Sequence, residues 1–399
     1  VNYKKISLVL ISLVPNAYVF KAMLSALPDL TIMFYFFLYV LMVLQLFKGK
    51  KLIYRPFDIF AMVWVLYLIV SSFYTPYQIA GLYKIAKLVF MGLGLIYFIR
   101  LNVEDEKDFD FLIKSLLVSS VVLQLIVSVT FIQQGMPFGR FEFEGVHPIP
   151  LGMVGAATSI IAMGAYTSKK MTLPYFLPLY ALSWWTVLLS SSKGPLLSGV
   201  LGMVLLLPLL LKHKGKAFLF TIIMGTCYWL LSKTDQYQFM VGRLMEKSEG
   251  PSSIARLGLY KQAIDYGMSH PLKGAGVGIF QYYYPHNIFL EVFAEGGLFL
   301  VVLLVIGVVW LGIKGIEYIV KRRNDYYFAI SYSITLAAFL VLLFSFTYVD
   351  LKFLWLGLGL VLINNKRGSF VVAPNLSAAK EAKTKRKLSV KFGKRRIVW

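Results

Sequence analysis

The chain has a single cysteine, Cys227, and it lies inside an apolar run. One thiol excludes a disulfide framework within the chain, and with it a cysteine-based metal site. Charge is scarce: 15% of the 399 residues are charged, where a soluble domain carries about a quarter. Acids are scarcest, with 19 Asp and Glu against 41 Lys and Arg, for a net charge of +22. Histidines number four (His147, His213, His270 and His286); no two have close ligand spacing and none forms an HxxxH. Neither a metal nor a cofactor is therefore expected. Short alternating segments are missing, which excludes a membrane β-barrel. Long polar stretches are rare, and the longest before the C-terminal tail runs from Lys233 to about Gly296.

Apolar residues make up 58% of the chain, and the mean hydropathy is +0.70. Apolar runs of roughly 17–25 residues, the length a helix needs to cross a bilayer, recur along it. They predict an all-α polytopic membrane protein with about twelve transmembrane helices, near 6–27, 30–47, 57–73, 80–100, 115–132, 149–167, 173–191, 195–211, 217–232, 297–320, 326–348 and 351–364. Pro15, Asn16 and Lys21 interrupt the first. It has no Ala-x-Ala-like exit and flows into further spans, so it is expected to stay rather than be cleaved as a signal. Basic loops follow every even-numbered span: Lys48 to Arg55, Arg100, Lys169 and Lys170, Lys212 to Lys216, Lys321 to Arg323, Lys366 and Arg367. By the positive-inside rule these loops and both termini face the cytoplasm. The net positive charge then belongs to the membrane surface and its anionic lipids, and no nucleic-acid partner is implied. The expected division is 1–232 with nine spans, an extracytoplasmic loop at 233–296, 297–365 with three spans, and a basic cytoplasmic tail at 366–399. Within the first part, 102–114 mixes acids with Phe109, Phe111 and Leu112 and predicts a short amphipathic helix on the inner face.

The outward loops hold the candidate chemistry. Arg256 follows Ser252 and Ser253, either of which could cap a helix carrying Arg256 and Tyr260 on one face. Its guanidinium suits phosphate oxygens, although an ion pair with Glu246, Glu249 or Asp265 is an equal use for it. Lys193, in SSSKGP at the end of the seventh span, either snorkels or meets an anion; Gly194 and Pro195 are expected to turn the chain there. Arg140 stands before Glu142 and Glu144, so a surface ion pair competes with function. The run HPLKGAGVGIF at 270–280 is no dinucleotide fingerprint, because no strand precedes it. Its glycines predict close backbone approach to a ligand or to the membrane surface. Tyr282, Tyr283 and Tyr284 are interfacial aromatics that also suit sugar faces. His286 follows and has the chemistry of a general base near neutral pH. Glu291 and Glu295 are placed to orient His286 or to cap Arg256. Lys84 and Lys87, inside the fourth span, keep a transporter or flippase open as an alternative.

Taken together, R256xxxY260, then H270-P-L-x-G-x-G-x-G-x-F280, then H286-N-x-F-L-E291 and E295-G-G resemble the signature segment of the O-antigen ligase and O-antigen polymerase superfamily. SSSKG at 190–194 resembles that family's Ser-Arg-Gly element, with Lys193 in place of the usual Arg. The resemblance implies a GT-C-like membrane glycosyltransferase of the bacterial cytoplasmic (inner) membrane, with its active site facing outward. It implies an undecaprenyl-diphosphate-linked glycan donor, a glycan or lipid acceptor, and no metal. A chain-length regulator and a flippase are implied as partners. Carried onto this chain, Arg256 and Lys193 would hold the diphosphate and His286 would activate the acceptor hydroxyl. Arg140, Tyr260, Tyr283 and Asn287 would bind diphosphate or glycan. Direct displacement with inversion is expected. Polymerisation of lipid-linked repeats is the favoured activity, with ligation to a lipid A core as the alternative.

Overall fold

The computed structural model describes residues 2–23, 29–136, 141, 147–245, 251–281 and 283–364, and all regular structure among them is helical. Helix α1 (Tyr3–Leu13) starts where the Asn2 side chain accepts the Lys5 N–H. It stops at Pro15, which forces a tight turn, Val14–Asn16, before α2 (Ala17–Met23). The first expected span is thus broken at its Pro-Asn pair. The break is tolerated because the buried Asn16 amide donates to the Ser119 and Ser120 hydroxyls, at 2.8 and 3.1 Å.

Helix α3 (Leu30–Phe47) is capped by Asp29. Helix α4 (Pro56–Ser72) opens with proline in its first turn, and Asp58 accepts the Arg55 N–H. Helices α5 (Gln78–Ala86) and α6 (Gly94–Asn102) are one course, joined by a π-helical stretch, Lys87–Leu93. Helix α7 (Glu106–Gln133) corrects an expectation: 102–114 is not a separate interfacial helix. After a cap at Asp105, its helical turns run unbroken into the fifth span. Phe109, Leu112, Ile113 and Leu116 are buried at the same helical spacing that continues to Leu123 and Val127, so a break would split one packed face.

Helix α8 (Pro148–Thr167), capped by His147, is buried through nearly its whole length. Helices α9 (Leu173–Ser190) and α10 (Lys193–Leu211) pack against it. Then come α11 (Lys214–Leu231), α12 (Asp235–Met245) and α13 (Pro251–Ser269), so much of the long polar stretch is itself helical. Helix α13 begins at Pro251, which places Ser252 and Ser253 inside its first turn rather than at the cap. Helix α14 (Ile288–Lys321) starts nine residues before the tenth expected span and kinks at Gly297, where φ is +59°. Helix α15 (Tyr326–Phe344) packs on α8 and α10, and α16 (Lys352–Asn364) packs on α15 and α6.

Among the described residues, eight helical stretches are long and apolar enough to cross a membrane: α3, the α5–α6 course, α7, α8, α9, α10, α14 and α15. Helices α4 and α16 are apolar but shorter. Large apolar side chains such as Phe36, Val70, Phe218 and Val302 point outward, as they do on a surface bathed in lipid. The connections fall at two ends. The turns at 48–55, 103–105, 168–172 and 322–325 form one, and those at 73–77, 191–192, 270–287 and 345–351 form the other. The basic tail expected at 366–399 lies outside the described residues.

Candidate active site

The second end is organised by a buried lysine. Lys84, on α5, reaches α14 and pairs with Glu291 at 2.5 Å and Glu295 at 2.8 Å. Both carboxylates are about 1% exposed. Thr347 donates to Glu291 at 2.6 Å, and the Gly278 N–H donates to Glu295 at 2.9 Å. Four segments are therefore tied at one point: α5, the glycine turn, the start of α14 and the turn after α15. A buried pair of this kind costs about 3–5 kcal/mol when one partner is removed. Two expectations change here. Glu291 and Glu295 hold Lys84 instead of orienting His286 or capping Arg256. Lys84 and Lys87, which kept a transport function open, both have acids: Lys87 pairs with Asp350 at 3.0 Å.

The glycine turn is also corrected, since it approaches protein rather than ligand or membrane surface. Ala275 and Gly276 donate to the Ala294 and Glu295 carbonyls at 2.8 and 3.1 Å, and Val277 N–H reaches Ser71 Oγ at 3.2 Å. The Tyr67 and Tyr74 hydroxyls both donate to the Lys273 carbonyl, at 3.1 and 2.7 Å. At Gly278, φ is +78°, and a Cβ would run into the backbone of Gly81. Only glycine lets the turn lie against the first turn of α5.

His286 sits at the lip of this framework. Asn287 caps α14, accepting the Phe289 and Leu290 N–H groups at 3.0 and 3.2 Å and donating to the Leu343 carbonyl at 3.1 Å. That cap fixes the residue before it. His286 has φ +55°, a conformation that non-glycine residues hold only where their surroundings impose it. Its ring lies edge-on to Tyr284, centroids 4.6 Å apart. Phe346, itself at φ +71°, lies 6.2 Å from Tyr284 and 6.1 Å from His147. His286 Nδ1 is buried with no hydrogen-bond partner among the described residues. Burial, with the Arg256 guanidinium and the His147 ring nearby, lowers its pKa to about 4. The imidazole is therefore neutral and able to accept a proton. Burial pushes the Tyr284 phenol up, and the Glu291 carboxylate adds to this.

Arg256 and Tyr260 are both half-buried on α13, as their i, i+4 spacing predicts. Arg256 makes no ion pair or hydrogen bond among the described residues, Asp265 included; Glu246 and Glu249 lie outside them. Lys193 opens α10, likewise without a hydrogen bond or ion pair among the described residues. The reversal before it is made by Ser191, at φ +43°, and not by Gly194 and Pro195, which are already in the first turn of α10. A Cβ on Gly194 would lie 4.0 Å from Ser345, the neighbour of Phe346, so Lys193 starts from the same cluster. Tyr283 is 73% exposed. Arg140 lies outside the described residues, whereas Phe141 is buried and its N–H donates to the Leu189 carbonyl near the end of α9 at 3.3 Å. No three His, Cys, Asp or Glu side chains cluster as metal ligands do among the described residues.

Sequence reasoning left His147 without a role. Its signal was present, since VHPIP and YPHN both set a histidine beside proline at a helix start. The Lys84 network was not readable, because its partners lie more than two hundred residues away.

Fold and site define a multi-helix membrane protein with a cation–histidine cluster at one end of the bundle. Residues 178–305 match the family model described as O-antigen ligase, so that part of the chain is similar to the O-antigen ligases. The match begins in α9 and ends in α14, so it contains Lys193, Arg256 and His286. No curated protein matches the chain.

Proposed function

We propose that the protein is a membrane glycosyltransferase that moves a glycan from an undecaprenyl-diphosphate carrier to an acceptor hydroxyl, joining lipid-linked repeats into a polymer. The observation that supports this most directly is a His286 without a hydrogen-bond partner beside an Arg256 without an ion pair, both among the described residues, with the His286 pKa lowered. A lipid diphosphate is already a good leaving group, so the reaction needs charge stabilisation and placement more than covalent help. Arg256 can take two phosphate oxygens in parallel, and Lys193 adds a second cation. His286 takes the acceptor proton as the acceptor oxygen bonds to the anomeric carbon. The bond from that carbon to the diphosphate breaks, and its electrons leave with undecaprenyl diphosphate. Attack from the face opposite the leaving group inverts the centre.

The low pKa of His286 has a use in this scheme. Without donor, Arg256 suppresses its basicity. Once a diphosphate anion lies against Arg256, the cationic field on the imidazole is offset and its proton affinity rises. The base is then strongest when the leaving group is in place. Asn287 acts here by holding His286, and Tyr260 and Tyr283 by lining the approach. The site faces the outer side of the cytoplasmic membrane, where a flippase delivers the donor and a chain-length regulator acts on the product.

A second activity, ligation to a lipid A core, is favoured by the description of the matching family as O-antigen ligase. Both are tested by glycan analysis of a strain lacking the chromosomal copy and carrying wild type, His286→Ala or Arg256→Ala at matched membrane levels. Loss of long glycan with accumulation of single lipid-linked repeats is expected for a polymerase. Accumulation of long, unattached lipid-linked chains would move the assignment to ligation. Normal glycan in both variants would remove both.

A further inference from the structure

A cleft of about 910 Å³ opens between the start of α5, the end of the glycine turn and the turn after α15. Tyr77, Tyr83, Tyr283 and Tyr284 line it, with Gln78 and Gln281 among the polar side chains. Its ionic groups are already matched: Lys84 with Glu291 and Glu295, Lys87 with Asp350. Both lysines that line the cleft are therefore already paired, whereas Arg256 and Lys193 have no ion pair among the described residues. What it offers is aromatic faces and fixed hydrogen-bonding groups. Glu291 lines the cleft, and its Oε2 is buried with no hydrogen-bond partner among the described residues. Such an atom is costly to leave unmatched.

We propose that this cleft is a subsite for an uncharged saccharide, and that it presents the acceptor sugar to His286 from the side opposite the diphosphate. The inference rests on the glycosyltransferase function proposed above. Sugar rings carry apolar C–H faces that stack on aromatic rings and hydroxyls that donate to carboxylate and amide oxygens. Tyr83 is 63% exposed and Tyr283 73%, so both present ring faces without rearrangement. Lys87, paired with Asp350, lies 4.8 Å over the Tyr83 ring and so covers one of its two faces. Tyr284 is the wall shared with the reacting centre, since one side lines the cleft and the ring meets His286 at 4.6 Å. A hydroxyl leaving the Tyr83–Tyr283 platform past Tyr284 arrives at the imidazole.

The test uses the purified full-length protein in nanodiscs. Two probes are titrated: lipid-free oligosaccharide released from the host's own surface glycan, and inorganic pyrophosphate. Tyr83→Ala and Gln78→Ala should each weaken oligosaccharide binding about tenfold and leave pyrophosphate binding unchanged, and Tyr83→Trp should restore the oligosaccharide. Arg256→Ala should do the reverse. Oligosaccharide binding that is absent in wild type, or equal in wild type and Tyr83→Ala, overturns the subsite. Glycan output of His286→Ala is scored in parallel. Lost output with unchanged oligosaccharide binding in Tyr83→Ala rejects the subsite and keeps the enzyme. Normal output with weakened binding in Tyr83→Ala keeps a saccharide site and rejects the proposed transfer.

Discussion

At the end of the bundle formed by the 48–55, 103–105, 168–172 and 322–325 turns, a set of cations meets acids. Lys4 and Lys50 share Glu104 at 2.7 and 2.9 Å, Lys170 pairs with Asp110 at 2.6 Å, and Arg322 with Asp325 at 2.6 Å. Arg100 holds Asp58 through both guanidinium nitrogens. At the opposite end the pattern divides. Lys84 and Lys87 are paired, while Arg256 and Lys193 have no ion pair with any described residue. Pairing at the first end serves architecture, because partly exposed ion pairs fix turns at little net cost. At the second end the paired cations hold the backbone in place. Arg256 and Lys193 meet no anion among the described residues, which is the basis for giving them a donor phosphate in the proposed function.

The sharpest way to break this contrast is to remove one cation or base from each end. His286→Ala should lower polymer formation roughly 10²–10⁴-fold, the range for a general base. Lys170→Ala at the other end should leave it unchanged, as measured by labelled glycan per unit of membrane protein. Equal losses would mean that the two ends do not differ in function. Next in size is stability. Lys84→Met leaves two buried carboxylates without their cation and should cost about 3–5 kcal/mol; Lys50→Met should cost less than about 1 kcal/mol. Thermal unfolding in detergent compares them, and similar melting temperatures would dismiss the structural role given to Lys84.

Smaller effects sharpen the comparison within the second end. Arg256→Lys keeps the charge and loses the planar fork. A tenfold rise in KM for the lipid-linked donor, about 1.4 kcal/mol, is expected, whereas Lys193→Arg should be tolerated. The smallest effect is on pH dependence. His286 has its pKa lowered to about 4 by burial, by Arg256 and by His147. Its neutral form therefore persists down to about pH 4, and the acid limb of kcat/KM from this group should lie there. Arg256→Gln removes one cause, so the pKa should move up towards the ordinary histidine value of about 6.5. The variant would then lose relative activity between pH 6 and pH 5, where wild type does not. A histidine NMR titration gives the same shift directly, and an unchanged value would show that Arg256 does not act on the imidazole.

Much of this was legible in the chain. Run length and hydropathy marked where helices would form. Arg256, His286 and Lys193 stood out because polar residues are few enough here to be noticed, and the i, i+4 spacing of Arg256 and Tyr260 held. Other features were hidden for definite reasons. The Asp105 cap could not reveal whether 102–114 stopped or continued, because only the packing of Phe109 and Leu112 against other helices makes it one with the span. The glycines of 274–278 signalled close approach without naming what approaches.

By itself, then, the sequence determined that this is a bundle of apolar helices, where most of them start and stop, and which few side chains could handle an anion and a proton. Those are properties of local composition, caps and the 3.6-residue period. Only the tertiary structure decided how the charges are shared. Whether Glu291 serves His286, Arg256 or Lys84 depends on which helix packs beside it. In a low-dielectric interior the nearest cation takes the carboxylate, and proximity across two hundred residues is set by packing rather than by spacing along the chain.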